Sequence, residues 1–584
     1  MPGVSSRWSE RFQRYFPWIL ALSIFALVAL TCWPVLAYPQ LEPDDYRYLW
    51  LLEAGDGSAR SLLERSIVEN RWDHLWWIAD RDPVRFWRPM VLASYWLDHG
   101  IWGDADIAFG LCFSNLLFYL GVCLVAGSLL TRLLGRRLET LLGALLFTGF
   151  FAHGEVIWYV AGRTDTIAAL FFLLAFRLHL IGGSWRFAGA ASFFLALITK
   201  ELSIGLPLLL LVLDWVDRGE GEGWKQLARK ALPWLACYVA AVILWLGLRS
   251  LALDGRSVGG ASYPYFISPF GGQFLEHLWT QLQAYVQNLA FAVTTPPFLR
   301  YDDLQYWGFD SGKTWTALTL FLAVICLLAR ERRLPWLLLF LLGTWLPTSF
   351  VYVSERYLLL PSFAIAAMAG FLLRRQQKPV LRWVLLAVVL SWTGHQSYQL
   401  WSKNHYLSKK ERPPLALAKA LERSQLRPAK GSRLLFVNFP ADLLNSQFLE
   451  AQLRVLFDDP TLSVRILSHQ EAGGVPGRTP SIIKEGERSL VLRSQLALAG
   501  ISPIRRLFPY VEMKPGQHTQ RPGLGFRVEV LAGDGLHASD ARFLFPRPVS
   551  EYEVWSFVPG ARGSQGFLDS ALALQRGRIV RERL

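Results

Sequence analysis

The apolar run WILALSIFALVALTCWPVLA, residues 18–37, is followed almost at once by LEPDDYRYLW, residues 41–50. About twenty apolar residues suffice to cross a hydrocarbon core of about 30 Å. A few residues further on, the chain sets two adjacent carboxylates, Asp44 and Asp45, among aromatic rings. The pair is therefore expected at the lip of a bilayer, a place for chemistry on a lipid-borne substrate. No A-x-A-like cleavage site follows the run, which reads as a retained helix rather than a signal peptide.

Working outward, composition assigns the class. Of 584 residues 52% are hydrophobic, only 18% are charged and 25 are tryptophan, and mean hydropathy is +0.27. Soluble domains carry about 25% charged residues, so this is a multi-span membrane protein. Further apolar segments fall near 106–130, 138–152, 164–181, 187–199, 202–216, 231–252, 314–329, 335–352, 357–373 and 380–397. The expected fold is an α-helical polytopic membrane domain of about eleven spans over 1–404, with outer loops at 38–105 and 253–313 and a tail domain at 405–584.

Orientation follows the cations of the short loops. Arg11 and Arg14 precede the first span; Arg136 and Arg137, Arg218 and Lys225, Arg332 and Arg333, and Arg374 and Arg375 lie at alternate junctions. The positive-inside rule makes their side the cytoplasm, so Asp44 and Asp45 face out. The arginines of 38–105 do not count against this, because long loops cross regardless of charge. The net charge of +14 is then a topology signal rather than a nucleic-acid footprint.

All five cysteines lie in or beside predicted spans, so no disulfide framework is expected outside. In the first outer loop SARSLLERSIVEN predicts an interfacial helix with Leu62, Leu63 and Ile67 as its apolar stripe, and WDHLWW at 72–77 offers rings for headgroup depth. In the second, FLEHLWTQLQAYVQNLAF predicts an amphipathic helix. The tail alternates β-type runs, RLLFV, LSVRIL, FRVEVL and EVWSF, with the helical pattern ADLLNSQFLEAQLRVLF, predicting a small α/β domain.

Polar groups at membrane depth are costly and point to function. HGEVIWYVAGRTDTIAALFF sets His153, Glu155, Arg163 and Asp165 between two spans; ITKELSIGLPLLLLVLDW sets Lys200 and Glu201 between two short apolar runs; VYVSERYLLLP sets Glu355 and Arg356 at an outer end. Each alone is as well explained by a structural ion pair or a snorkelling side chain. Adjacent acids also recur at Asp302–Asp303 and Asp458–Asp459, and most such pairs are solvated loop residues. Convergence of all these groups on one membrane face is the reading that favours a site.

A multi-span chain with an acidic pair in its first outer loop resembles the GT-C superfamily of glycosyltransferases. More narrowly, FWRPMVLASYWLDHGIWG, HGEVIWYVAGRTDTIAALF, TKELSIGLPLLLLVLDW and SERYLLLPS resemble, in order and spacing, motifs of tetratricopeptide-containing O-mannosyltransferases, protein O-mannosyltransferases and their bacterial relatives. The tail lacks the helical repeats of those proteins, and His153 is followed by Gly154 where they often have proline. The resemblance implies a polyprenyl-phosphate sugar donor, an acceptor hydroxyl on protein, glycolipid or surface glycan, and inversion at the anomeric carbon. It also implies Asp44 or Asp45 as general base.

The donor phosphate is already a good leaving group, so one carboxylate to take a proton and cations to hold the phosphate suffice. Arg163, Lys200 and Arg356 are the expected phosphate binders, with His153, Glu155, Asp165, Glu201 and Glu355 orienting them or lining the sugar pocket. A divalent ion, Mg²⁺ or Mn²⁺, on Asp44 and Asp45 stays open. The expected location is a bacterial inner membrane, with site and tail periplasmic. Two rivals remain: a transporter or flippase for a lipid-linked glycan, and a polymerase or ligase moving a whole glycan.

Overall fold

A computed structural model describes residues 2–53, 55, 58, 61, 64–70, 75–77, 84–218, 223–254, 272, 274–289, 311–348, 354–410, 412–439, 449–469, 480–494, 498, 511–520, 524–558, 573–576 and 579–581. Two compact units emerge. One comprises Met1–Gln40, Arg88–Gly255 and Phe266–Lys410; the other comprises Leu41–Trp87, Arg256–Tyr265 and Glu411–Leu584. The stretch 41–87, expected as an outer loop of the membrane part, thus belongs with the tail.

In the first unit every apolar segment singled out above carries a helix. Arg11–Ala37, Ile107–Leu134, Val160–Ile181 and Trp224–Ala252 are long and apolar enough to cross a membrane, and the bent pair Leu138–Thr148 and Phe151–Trp158 makes a fifth candidate. The chain is a multi-pass membrane protein. In the first helix Phe16, Leu20, Ile24, Val28 and Cys32 are buried at every fourth position, while Trp18, Leu22, Phe25 and Trp33 are exposed on the other face. That is the two-sidedness of a helix with protein on one side and lipid on the other. The central helix is Pro361–Arg375, in which every residue from Pro361 to Leu373 is buried. Its alanines and glycine permit close packing, the usual device where lipid removes the hydrophobic drive for helix association.

Several other segments are short helices that run into 3-10 turns: Leu206–Val216 is entered through Glu201–Gly205, and Pro361–Arg375 is preceded by Glu355–Leu358. The chain also leaves regular helix between Leu138–Thr148 and Arg163–Ile181. Irregular backbone at membrane depth is tolerated where it is buried in protein or lines a cavity. These turns carry the charged residues.

At the other end of the same helices the basic loops meet. Gln13 Nε2 donates to Arg136 O at 2.8 Å, Arg333 Nη1 to Leu133 O at 2.9 Å, and Arg375 Nη1 to Leu327 O at 3.0 Å. Arg332 donates to Arg218 O. The arginine-bearing junctions that the sequence assigned to one side are therefore together. Helix Arg163–Ile181, at 19 residues, separates the two ends by about 28 Å.

Among the described residues the second unit holds three sheets, a two-stranded ribbon and two larger ones. The four-stranded sheet runs in the order β11 (Ala573–Arg576), β10 (Tyr552–Val558), β3 (Arg433–Val437), β4 (Ser463–Ile466), with β3 parallel to both neighbours. RLLFV is buried along nearly its whole length, as a parallel strand covered on both faces must be. The six-stranded sheet runs β12 (Ile579–Arg581), β5 (Ser481–Lys484), β6 (Ser489–Arg493), β9 (Ala538–Leu544), β8 (Arg527–Gly533), β7 (His518–Gln520). Helix Leu449–Phe457 realises the second half of the predicted helix; 441–448 lie outside the described residues.

Two expectations for the first outer loop are corrected. Ile67 lies in β1 (Ile67–Asn70), paired antiparallel with β2 (Val84–Trp87), not on an interfacial helix; Leu62 and Leu63 lie outside the described residues. Leu75, Trp76 and Trp77 are buried in the core of this unit rather than spread at headgroup depth. The Trp76 ring packs edge-on to Phe543 at 5.9 Å, and its Nε1 donates to Leu467 O at 3.0 Å. The sheet core thus offers the indole both an apolar slot and a carbonyl, which outcompetes the interface for an amphipathic ring.

Candidate active site

Three irregular turns of the first unit bring charges together. The broken stretch before Arg163–Ile181 supplies Glu155, and the first turn of that helix supplies Asp165. Lys200 is the residue at which helix Trp185–Thr199 ends, with extended backbone. The turn before the central helix supplies Ser354, Glu355 and Arg356.

Lys200 Nζ binds Asp165 Oδ1. Arg356 Nε stands 3.6 Å from Asp165 Oδ2, and its Nη1 stands 3.5 Å from Glu155 Oε1. Glu155 is held further by the Arg356 backbone N–H at 3.1 Å and by Ser354 Oγ at 2.7–2.8 Å. Two tyrosine rings flank the cations: Lys200 Nζ is 4.8 Å from the Tyr357 centroid, and the Arg356 guanidinium is 5.5 Å from both Tyr159 and Tyr357. Exposure is graded, from 8% for the Lys200 side chain through 14% for Arg356 to 22% for Glu155. The group is nearly dry yet reachable, which strengthens every charge–charge term in it.

Two further cations join that the sequence reading missed. Arg88, directly before helix Pro89–Trp102, lies within charge–charge reach of Lys200. Lys403, in helix Pro379–Lys409, binds Glu355, feels the charge of Glu155, and stands 4.5 Å over the Phe151 ring. Gly154 explains how Lys403 gets there: a Cβ at 154 would lie 2.7 Å from Lys403 Cδ, so only glycine leaves the stem its path. In sequence Arg88 stood inside a quoted motif and Lys403 beyond the last apolar run; neither interrupts a span, the signal that marks the others.

Not every expected residue belongs to this network. Arg163 is wholly buried: Nη1 bonds Asp98 Oδ2 at 2.6 Å, Nη2 bonds Leu111 O at 2.7 Å, and the guanidinium lies 4.5 Å over Tyr95. Asp98 also accepts from Ser114 Oγ at 2.6 Å. The expectation that Arg163 binds phosphate is corrected, since its side chain is 0% exposed and leaves no face open to a ligand; what it does is fasten helix Pro89–Trp102 to the start of Arg163–Ile181. His153 is likewise fully buried, its ring nitrogens 2.9 Å from Tyr119 Oη and 2.8 Å from Ser362 Oγ. Glu201 is half-buried and lies within charge–charge reach of Arg249.

Asp44 and Asp45 open helix Pro43–Glu53 of the second unit. Asp45 is buried, and its Oδ2 accepts the Glu42 backbone N–H at 2.7 Å, half of a capping box. Asp44 is half-buried. Burial and the Asp45 carboxylate push the Tyr46 phenol up to about 12, so it stays a proton donor. The helix is tied into its unit by Arg412 on Glu42 and by Arg454 stacked 4.7 Å from the Trp50 ring.

The sequence matches no protein-family model and no curated protein. Among solved structures the chain is similar to ArnT from Cupriavidus metallidurans bound to undecaprenyl phosphate, at 14% identity and a TM-score of 0.47, covering 76% of this chain and 85% of that one. It is also similar to the Archaeoglobus fulgidus oligosaccharyltransferase tethered with an acceptor peptide, at 11% identity and a TM-score of 0.43, covering 77% of this chain and 64% of that one. The chain therefore spans less than two thirds of the oligosaccharyltransferase.

Proposed function

We propose that this protein is a GT-C-type membrane glycosyltransferase that moves a sugar from a polyprenyl-phosphate donor to an acceptor hydroxyl at the outer face of a bacterial inner membrane. One observation carries the reading. Lys200 and Arg356, paired with Asp165 and Glu155 and flanked by Tyr159 and Tyr357, form a nearly dry charged cluster, made net positive by Arg88, at the end of the helices remote from the basic loops. A lipid phosphate approaching from the membrane gains charge as its bond to the sugar breaks, and an ammonium beside a guanidinium fork suits that change. Arg88 adds a third cation. Asp165 and Glu155 keep the cations in place, and Lys403 on Glu355 does the same for the neighbouring turn.

Asp44 or Asp45 removes the acceptor proton as the hydroxyl attacks the anomeric carbon from the face opposite the phosphate, which inverts that centre. On this reading the tail domain positions the base, because Arg412, Arg454 and helix Leu449–Phe457 hold the acid-bearing helix. Among the described residues no three His, Cys, Asp or Glu side chains gather as metal ligands would. A divalent ion would draw on Asp44 and Asp45 together with substrate oxygens, and would lower the charge of the departing phosphate.

The deciding experiment is transfer of labelled single sugar from a polyprenyl phosphate by the purified full chain. Asp44→Asn or Asp45→Asn should lower kcat by about 10²–10⁴-fold, the usual weight of a general base. Full activity in both variants would overturn the assignment. Movement of intact lipid-linked glycan across vesicles without bond cleavage would favour a transporter, and whole-glycan transfer a ligase.

A further inference from the structure

At the end of the first unit remote from the candidate active site, the basic junctions enclose an open cavity of about 620 Å³, lined by Arg332, Arg333, Arg374, Arg375, Asp217 and Glu331. Three helix ends wall it: Leu206–Val216 finishes there at Asp217, Leu334–Trp345 starts there, and the central helix Pro361–Arg375 finishes there.

The four guanidiniums are not equivalent. Arg333 is fully engaged, with Nε and Nη2 on the two oxygens of Asp217 at 2.8 and 2.9 Å and Nη1 on Leu133 O. Arg333 and Asp217 therefore cancel each other. Arg332 spends one nitrogen on Arg218 O and Arg375 one on Leu327 O, so each is anchored while its remaining N–H groups have no partner among the described residues. Arg374 is exposed and also without a partner among the described residues. Three available cations thus face one carboxylate, Glu331. The helix ends subtract little, since two C-termini against one N-terminus amount to roughly half a negative charge.

We infer that this cavity binds a phosphate-bearing anion. Anchored guanidinium forks match phosphate oxygens in pairs. The volume exceeds that of a lone phosphate and falls within the range of about 300–1,000 Å³ typical of small-molecule sites, leaving room for the group that carries it. The cavity also lies where apolar helices end, and clustered arginines at such helix ends attract anionic lipid. Two sources share this chemistry, an anionic phospholipid headgroup and free phosphate. The site is independent of the glycosyl-transfer reading.

The full chain, purified in neutral detergent, is titrated in one arm with phosphatidylglycerol against phosphatidylcholine and scored by native mass spectrometry. The other arm is titrated with inorganic phosphate and scored by calorimetry. Binding in either arm, weakened about fivefold by Arg374→Gln or Arg375→Gln and about twentyfold by both, supports the site and identifies its source. Arg229→Gln removes the same charge from an exposed position outside the cavity and should change nothing. No binding in either arm, or equal weakening by Arg229→Gln, overturns the inference. Sugar transfer is unaffected by these variants, so their outcome and that of the Asp44 and Asp45 substitutions are separate.

Discussion

Replacing Gly154 by alanine tests the charged network through a single methyl group. Gly154 has φ −49° and ψ −46°, which alanine adopts freely, so on backbone grounds alone the change should stabilise by roughly 0.5–1 kcal/mol. The new Cβ, however, would stand 2.7 Å from Lys403 Cδ, 3.0 Å from Cε and 3.3 Å from Nζ. Comfortable carbon contacts are about 3.5–4.0 Å, so the lysine stem must retreat by about 1 Å. Lys403 is only 2% exposed and cannot retreat without loosening its ion pair with Glu355, which is 27% exposed. Breaking a fully buried pair costs about 3–5 kcal/mol; with one partner partly in water about 2 kcal/mol is reasonable. The net expectation is destabilisation by about 1 kcal/mol, or about 1 °C in thermal midpoint for a protein of this size. Lys403→Ala removes the obstacle, so in that background Gly154→Ala should become neutral or stabilising, a coupling of about 1–2 kcal/mol across the cycle. Tryptophan fluorescence on heating, run on the four proteins in nanodiscs, measures it. A rise in midpoint on Gly154→Ala that is the same with and without Lys403 would refute the argument.

Three other outcomes follow from the same contacts. Asp98→Asn strips Arg163 of its carboxylate in a site with side chains 0% and 5% exposed, and should cost about 3–5 kcal/mol, seen as a large fall in thermal midpoint and in yield of folded protein. Arg356→Gln, by contrast, acts on a partly accessible cation: the midpoint should move by no more than about 2 °C while KM for the proposed polyprenyl-phosphate donor rises at least about tenfold. Trp76→Ala empties a core position and orphans Leu467 O; a cost of about 3–5 kcal/mol should appear as faster protease cutting within 411–584 of the intact chain.

How far the sequence could be read depended on which physical signal each residue carried. Apolar segments announced helices because length and hydropathy are local properties, and RLLFV announced β3 because a strand buried on both faces is continuously apolar. Glu155, Asp165, Lys200 and Arg356 were legible because charges interrupting apolar runs are costly unless they meet. Their partners were not. Lys403 sits past the end of an apolar run, where a lysine is ordinarily a snorkelling cation, and only its burial beside Gly154 and its ion pair with Glu355 show that it turns inward. Arg163 failed in the opposite sense: the costly interruption was real, but its relief is Asp98, many residues earlier in a helix whose pattern does not advertise a buried acid.

The tryptophans of 72–77 make the same point about competing environments. An indole wants an apolar slot and one acceptor, and a membrane interface offers both, so composition alone favours the interface. Leu467 O and the Phe543 ring offer both as well, inside a sheet core assembled from residues far along the chain. Once Trp76 and Trp77 are committed there, the whole of 41–87 is drawn into the tail's unit, and with it Asp44 and Asp45. The proposed base and the proposed phosphate cations thus belong to different units, each internally braced: Asp45 by its cap and Arg412 on Glu42, Lys200 and Arg356 by Asp165 and Glu155. On the proposed assignment, damage to the tail core should reach catalysis through kcat, by misplacing the proposed base, while affinity for the proposed donor holds. A Trp76→Ala protein that kept full kcat despite a loosened tail would separate the two and count against the tail's proposed role.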